Sequence, residues 1–295
     1  MIKLLWNTQN QNTPNTDIEK QDNITDKGWG VYHKNNSNEW IFSILEKIKF
    51  KLIKSETELE NEDILIIVDS SIEKKEDLYF KLKLICSKIF LIHLGDETGS
   101  HDLTNIYNKF NFVWRTFCLN KFFNNEIVNC IPIGYKSGVR LIPQTDSRKN
   151  KWAFIGTPHR SSRHDILFQY SDIKPSFCHK TKKFNEKIIN TDEMSKILSS
   201  TEFIPCPNGF FHPETYRLYE ALECECIPIV ENAFQYYDRL FPNNPFLKVD
   251  KWIDSKLIIK GWAAQQIKEK REECKIWWKN YKKKLQEDIF NKINS

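Results

Sequence analysis

The sequence predicts an α/β protein built from two Rossmann-like domains that face a cleft, followed by a long C-terminal helix. Its 295 residues are enough for about two domains. Short apolar runs alternate with helical stretches, which is the pattern of a parallel sheet made from βαβ units. A polar segment that contains a proline, residues 143–150, separates two such series. We therefore expect domains at 1–145 and 146–265, and a helix at 266–295 that packs back across them.

The first series contains four expected strands, each a short and largely apolar run. They are Ile64–Val68, Ile89–Leu94, Phe112–Phe117 and Ile127–Ile133. Helical spacing lies between them at Lys75–Cys86 and over residues 101–111. Residues 7–38 are rich in Asn, Gln, Thr, Asp and Lys, and we expect loops with short elements there.

The second series contains five expected strands, at 152–155, 176–179, 203–205, 226–230 and 246–249. One helix is expected to open near Ser161. Another is expected over 213–224, with Pro213 in its first turn, because the missing N–H of proline costs nothing there. From Gly261 onward, apolar residues recur at helical spacing, which predicts one long helix.

Composition excludes several classes of protein. With 40% hydrophobic and 28% charged residues, the chain is not fully disordered. No stretch approaches the roughly 18 apolar residues of a membrane span. Because the first residues also lack the features of a signal peptide, we expect a cytoplasmic protein. The eight cysteines are irregularly spaced and several lie inside apolar runs, so we expect reduced core thiols and no disulfide framework.

Residues 203–230 (FIPCPNGFFHPETYRLYEALECECIPIV) carry the strongest functional pattern. They predict a strand, a Pro/Gly loop, a helix and a second buried strand, and ligands bind where such strands end and helices begin. A helix N-terminus with the hydroxyl of Thr215 can hold a diphosphate. Arg217 and Glu220 share one face of that helix, so one can pair with a phosphate and the other can accept both ribose hydroxyls. Alternatively, the two form a surface ion pair.

The same segment resembles the nucleotide-binding signature of exostosin-like glycosyltransferases, family GT47, and is most similar to its ribitol-xylosyltransferase branch. The matching elements are Cys-Pro-Asn-Gly at 206–209, Thr-Tyr-Arg at 215–217, Glu-Ala-Leu at 220–222 and Cys-Ile-Pro-Ile at 226–229. Three other blocks fit: HLGDE at 93–97 with the later Val113 and Arg115, IPIGYKSG at 131–138, and WAFIGTPHRSSR at 152–163. One position departs, since Glu225 stands where the family usually has Gly.

The resemblance implies a GT-B fold, an inverting mechanism and a UDP-sugar donor, with no cofactor. Its candidate donor-binding residues are Gly156, Thr157, Arg160, Arg163, Pro205, Cys206, Gly209, His212, Thr215, Arg217 and Glu220. Pro205 and Cys206 are expected to shape the uracil pocket through their backbone, and Gly156 to let the backbone approach a phosphate. Tyr216, Phe210 and Phe211 are expected to be buried against the sheet; alternatively, they stack on a ring of the ligand.

Two further features bear on the mechanism. No Asp-x-Asp occurs, so we expect no metal site, and cationic side chains must offset the charge of the departing UDP. Inverting transfer needs a general base, and Asp96 and Glu97, just after an expected strand, are the candidates. Alternatively, Asp96 shapes its loop and Glu97 pairs with Arg115. His93 is expected to be a core histidine.

The expected partners are a nucleotide-sugar donor and a glycan acceptor, with no nucleic acid. Three rival hypotheses remain open. One is a fucosyltransferase-like enzyme that uses GDP-fucose. Another is a basic nucleic-acid-binding protein, suggested by the net charge of +5 and the Lys-rich stretch 268–284, although Glu269, Glu272 and Glu273 interrupt it. The third is an inactive sensor of nucleotide-sugars.

Overall fold

The computed structural model describes residues 1–6, 34–143, 148–182 and 189–295. It divides the chain into two units. The first comprises 1–36, 42–132 and 286–295, and the second comprises 37–41 and 133–285. Of the linker expected over 143–150, residues 144–147 lie outside the described residues, and so do most of the loops expected over 7–38. Asn150, at the end of that expected linker, already belongs to a strand.

The described part of the first unit contains a six-stranded sheet in the order β2-β1-β3-β4-β5-β6, with every neighbouring pair parallel. Its strands are β1 Ile2–Trp6, β2 Lys51–Ile53, β3 Ile64–Asp69, β4 Lys88–His93, β5 Phe112–Arg115 and β6 Val128–Cys130. Helix α2 spans Glu76–Ile85 and α3 spans Thr104–Tyr107. Helix α1, Lys34–Ile44, has residues in both units.

The described part of the second unit contains a five-stranded parallel sheet in the order β11-β10-β9-β7-β8. Its strands are β7 Asn150–Gly156, β8 Ser176–Lys180, β9 Thr201–Cys206, β10 Ile227–Glu231 and β11 Leu247–Val249. Its helices are α4 Arg163–Gln169, α5 Thr191–Ser199, α6 Tyr216–Glu223, α7 Tyr236–Leu240 and α8 Trp252–Gly261. Helix α9, Ala264–Asn294, contributes its last turns to the first unit.

The central strands form because they are apolar on both faces. Residues 65–68 of β3 and 89–92 of β4 are all buried, as expected for parallel strands with helices on both sides. In the second unit, Phe154, Phe203 and Ile229 from three neighbouring strands join one core with Trp152 and Trp252. The α/β class, with two parallel Rossmann-like sheets and a long C-terminal helix, is confirmed.

Several predicted boundaries are wrong. The helix expected over 101–111 is only the four residues of α3. Helix α6 begins at Tyr216, not at Pro213, because Thr215 is still in an extended conformation. The helix expected from Gly261 begins at Ala264, since α8 ends at Gly261 and Trp262 is extended. No helix of the described ranges has the length and apolar character needed to cross a membrane.

The expectation that all cysteines are reduced is also wrong. Cys118 and Cys130 form a disulfide, with Cα atoms 5.3 Å apart. Cys118 follows β5 and Cys130 ends β6, and these strands are neighbours in the sheet. The apolar surroundings of both residues favoured the thiol prediction, but the pairing of parallel strands decides which cysteines meet, and the sequence alone does not show it.

Candidate functional site

The predicted donor-binding residues gather at one edge of the second sheet. Gly156 ends β7, Pro205 and Cys206 end β9, and Arg217 and Glu220 lie on α6. The others lie in the loops that follow β7 and β9 or at the first residue of α4. Those others are Thr157, Arg160, Arg163, Gly209, His212 and Thr215. In a parallel sheet the carboxyl ends of the strands share an edge, which is where ligands bind.

Arg217 lies against the end of β7. Its Nη2 donates to the carbonyl of Ile155 at 2.9 Å, and its guanidinium is 5.2 Å from the ring centre of Phe154. A Cβ atom on Gly156 would lie 3.0 Å from the same Nη2, and Gly156 has φ of 140°. The glycine therefore admits the Arg217 guanidinium, where we expected it to admit a phosphate. Burial lowers the pKa of Arg217.

Arg163, the first residue of α4, is also buried, with 9% of its surface exposed. Its Nη1 donates to the carbonyl of Thr157 at 3.2 Å, while its Nε is buried and has no hydrogen-bond partner. Burial, with the neighbouring charges of Arg217 and Arg160, lowers the pKa of Arg163 to about 10. A guanidinium in this setting is stabilised by an added anion.

Arg160 is exposed and lies over the ring of Phe210, with its guanidinium carbon 4.3 Å from the ring centre. Phe210 and Phe211 are 55% and 50% exposed, so the expectation that they are buried is wrong. Within the described residues, carboxylates pair with Arg115, Arg140 and Arg271, but none pairs with Arg160, Arg163 or Arg217. We call these three the arginine cluster. Its uncompensated charge suits an anionic ligand.

The same edge contains buried polar atoms that have no hydrogen-bond partner among the described residues. They are Ser162 Oγ, Arg163 Nε, His179 Nε2, Asn208 Oδ1 and Thr215 Oγ1. Thr215 is the N-cap of α6, yet its hydroxyl does not cap the helix. Because buried polar groups are nearly always satisfied in folded proteins, a group of such atoms at one edge indicates a place for a polar ligand.

Glu220 lies one turn further along α6 and is buried. Burial raises its pKa to about 7, while the charge of Arg217 and the backbone N–H of Lys136 lower it. It forms no ion pair with Arg217, so the surface-pair alternative does not describe this residue. The Lys136 loop packs tightly, since Gly134 has φ of 75° and a Cβ there would lie 2.2 Å from Cγ of Trp40.

Two predicted residues, Cys206 and His212, are held by contacts within the protein itself. The Cys206 thiol is fully buried and donates to the carbonyl of Ile204, and burial raises its pKa, so it stays protonated. His212 is buried with its ring 4.8 Å from that of Tyr236, and its Nδ1 accepts from the N–H of Glu214. Pro205 is buried and Gly209 is half-buried. Because both side chains are buried, the expected role of Pro205 and Cys206 through their backbone stays a prediction.

Sequence reasoning missed Glu214, which anchors the loop before α6. Its carboxylate accepts from the hydroxyls of Tyr219 and Tyr236 and, at 3.3 Å, from the N–H of Ile133. This carboxylate is buried and fixes the loop that leads to Thr215. The sequence does not indicate this contact. Glu214 lies in the loop and Tyr219 lies five positions later on α6, so the helical repeat does not place their side chains on one face.

Glu225 has a local structural role. Helix α6 ends with hydrogen bonds from Cys226 N to Ala221 O and from Glu225 N to Leu222 O, and Glu225 has φ of 56°. This is the Schellman arrangement, in which glycine is preferred. Because Glu225 precedes β10, it lies at the amino end of that strand, away from the edge that holds the arginine cluster. Its carboxylate pairs with Lys275 at 3.0 Å.

The predicted base residues lie in the first unit. The Asp96 side chain is fully buried, and its Oδ2 is 3.4 Å from Nη2 of Arg115, which is also fully buried. Arg115 thus pairs with Asp96, where the alternative reading assigned it to Glu97. Glu97 is partly exposed. His93 is buried, as expected, with Nδ1 2.8 Å from the Tyr107 hydroxyl, but its Nε2 has no partner.

The family model described as RXYLT1 C-terminal domain matches residues 139–295, more than half of the chain. The protein belongs to this family. The RXYLT1 match confirms the resemblance to the ribitol-xylosyltransferase branch and supports a glycosyltransferase, while membership of GT47 stays a prediction. The range matched by the RXYLT1 family includes every predicted donor-binding residue and excludes Asp96 and Glu97.

Comparison with other proteins adds little to the RXYLT1 match. No curated protein matches the sequence. Among solved structures, the crystal structure of an alpha1,3-fucosyltransferase is similar, with a TM-score of 0.46 and 12% sequence identity, over 92% of this chain and 80% of that chain. This similarity is too low to assign a function.

Proposed function

We propose that the protein is an inverting glycosyltransferase that moves a sugar, with xylose as the first candidate, from UDP to a glycan hydroxyl without a metal ion. The arginine cluster carries the proposal. Three guanidinium groups stand at the carboxyl edge of a parallel sheet without a carboxylate partner among the described residues, beside the unpartnered Thr215 hydroxyl. A diphosphate supplies the missing charge and the missing acceptors.

The proposed role of Arg163 and Arg217 is to stabilise the departing UDP. As the bond between the sugar and the diphosphate breaks, negative charge builds up on the leaving oxygen. Both guanidinium groups are fixed in advance by hydrogen bonds to backbone carbonyls, so little reorganisation is needed when that charge develops. Arg160 is exposed, and its positive charge would add to that of Arg163 and Arg217. Gly156 and Thr157 shape the backbone beneath the phosphates.

Glu220 is the proposed partner of the ribose. A carboxylate can accept hydrogen bonds from two hydroxyls at once, and Glu220 lies one turn beyond Arg217 on α6. The backbone of Pro205 and Cys206, with Gly209 and His212 in the adjoining loop, is the proposed wall for the uracil. These roles remain predictions for the individual residues.

Release of UDP from a UDP-sugar tests the proposal. We expect turnover with UDP-xylose in the presence of a panel of polyol and glycan acceptors, and slower turnover with water alone. GDP-fucose is the comparison for the fucosyltransferase alternative, and we expect no GDP release. Turnover should persist in EDTA. Turnover of GDP-fucose alone would favour the rival enzyme, UDP binding without any turnover would favour a sensor, and loss of activity in EDTA restored by Mn²⁺ would contradict metal independence.

A further inference from the structure

Asn208 carries a side-chain oxygen that the fold leaves unused. Its Oδ1 is buried and has no hydrogen-bond partner among the residues that the structure describes, although the residue as a whole is only half-buried. A buried acceptor without a donor is unfavourable, because it has lost its hydrogen bonds to water and gained none in the protein. Each such atom in a folded protein therefore calls for an explanation, and the proposed function gives this side chain no role.

The backbone of Asn208 is fixed from both sides. Its N–H donates to Oε2 of Glu231 at 3.0 Å, and its carbonyl accepts from the hydroxyl of Ser161 at 3.1 Å. Glu231 ends β10, and its other carboxylate oxygen accepts from the indole N–H of Trp252 at 3.0 Å, so the carboxylate is itself held. The main chain at Asn208 therefore stays in place while the half-buried amide group can turn toward a ligand.

Two contacts place Asn208 beside the arginine cluster. Ser161, which binds its carbonyl, follows Arg160 directly in the loop after β7. Phe210, two residues beyond Asn208, has the guanidinium carbon of Arg160 4.3 Å from its ring centre. All four residues belong to the second unit. Asn208 thus lies next to the proposed site of the diphosphate, inside the loop that is the proposed wall for the uracil.

We propose that Asn208 recognises the base of the nucleotide donor, with Oδ1 accepting a hydrogen bond from the N3–H of uracil. This role rests on the proposed glycosyltransferase function, which it deepens by naming the side chain that contacts the base. N3–H lies on the Watson–Crick edge of uracil, which is an edge that proteins read on unpaired bases. The carbonyl oxygens O2 and O4 flank it, so the NH2 group of the same amide can donate to one of them. One amide thus pairs with the base edge through two hydrogen bonds.

Other parts of a UDP-sugar suit the Asn208 oxygen less well. The oxygens of a diphosphate are acceptors, as Oδ1 is, so the two repel each other, whereas the guanidinium groups of the arginine cluster only donate. The ribose hydroxyls are donors, but Glu220 is their proposed acceptor. The hydroxyls of the transferred sugar lie on the far side of the diphosphate from the base, whereas Asn208 lies in the proposed uracil wall. N3–H is the donor that remains.

Titration calorimetry with UDP and with 3-methyluridine 5′-diphosphate tests the inference, because the methyl group removes the N3–H and leaves the phosphates unchanged. We expect the wild type to bind the methylated ligand about 10- to 100-fold more weakly than UDP, since a group built to accept a hydrogen bond is then left unpaired. We expect Asn208→Ala to bind UDP about 3- to 10-fold more weakly than the wild type does, the effect of one neutral hydrogen bond. This variant should bind the two ligands nearly equally. Both loop contacts survive the substitution, since they use the backbone N–H and carbonyl of residue 208.

Two controls separate base recognition from a disturbed loop. Inorganic pyrophosphate has no base and should bind to Asn208→Ala as it does to the wild type. Asn280→Ala changes an exposed asparagine on α9 that also belongs to the second unit, and it should bind both nucleotides as the wild type does.

The possible results distinguish the inference from the proposed function. If Asn208→Ala binds UDP as tightly as the wild type, or still discriminates against the methylated ligand, the inference alone is wrong. An equal loss of pyrophosphate binding in Asn208→Ala would also overturn it, because the substitution would then act through the loop. If the wild type binds no UDP, the proposed function fails, and the inference fails with it.

Discussion

At the scale of single residues, Glu220 makes a pH-dependent prediction. Its pKa is raised to about 7, so its carboxyl is half protonated near neutral pH. If the carboxylate accepts the ribose hydroxyls, a proton competes with the donor. Between pH 8 and pH 6 the fraction of Glu220 that is deprotonated falls by about tenfold. We therefore expect the affinity for UDP-xylose to fall by up to about tenfold over the same range.

Glu220→Gln is the matched control for this titration. We expect it to bind UDP-xylose more weakly than the wild type at pH 8 and to show no dependence on pH. We choose UDP-xylose as the ligand for this pH series because the terminal phosphate of UDP itself titrates near pH 6, which would add a second pH dependence. A flat profile in the wild type, or the same slope in Glu220→Gln, would show that Glu220 does not contact the donor.

Glu225 makes a prediction about stability. Its left-handed backbone conformation lowers the free energy of unfolding by roughly 1 kcal/mol relative to glycine at the same position. The exposed ion pair between Glu225 and Lys275 offsets little of this loss. We expect Glu225→Gly to raise the free energy of unfolding by about 0.5–1 kcal/mol in denaturant titrations. Glu225→Ala removes the ion pair but keeps the Cβ, so it should be no more stable than the wild type. Stabilisation by alanine equal to that by glycine would refute the backbone explanation.

The family resemblance implied all three residues of the arginine cluster, and helical spacing alone indicated Arg217 with Glu220. Arg163, Arg217 and Glu220 lie at the edge where the motif placed them. The motif did not identify Glu214, whose partners come from two helices and from the N–H of Ile133, because such contacts form only after the chain folds.

At the scale of elements, the sequence predicted nine of the described strands but missed β1 and β2, and it placed several helix boundaries wrongly. Each central strand that was predicted is an apolar run that ends at a polar or small residue, and such runs can be seen directly in the sequence. The start of α6 was predicted three residues early, because Pro213 fits a first helical turn but the Glu214 network holds the chain extended until Thr215. Tertiary contacts override the local preference there.

The neighbouring strands β5 and β6 carry the disulfide, which makes a direct prediction. Of the eight cysteines, Cys118 and Cys130 are paired and six are free. We expect thiol titration of the denatured, unreduced protein to count six thiols, and eight after reduction. Because Cys130 lies opposite Arg115 in the sheet, we also expect reduction to loosen the segment that holds Asp96. Eight thiols without reductant would contradict the pairing.

At the scale of the whole molecule, the net charge is +5, and several cations of α9 are held in ion pairs. Arg271, Lys270, Lys275 and Lys282 pair with Glu202, Glu273, Glu225 and Glu223. The cations of α9 thus pair both with a glutamate of the same helix, Glu273, and with glutamates from other elements. Each of these pairs engages a cation that would otherwise be free to contact a phosphate backbone.

The central claim is that the arginine cluster binds a diphosphate, and titration calorimetry with UDP tests it most directly. We expect Arg163→Met and Arg217→Met each to weaken UDP binding about 10- to 100-fold, the worth of one charge-assisted contact. Arg140→Met, which removes an exposed guanidinium paired with Asp192, should bind UDP as the wild type does. Uridine should bind weakly and equally to all four proteins. Unchanged UDP affinity in both cluster variants, or uridine binding as tightly as UDP, would contradict the account.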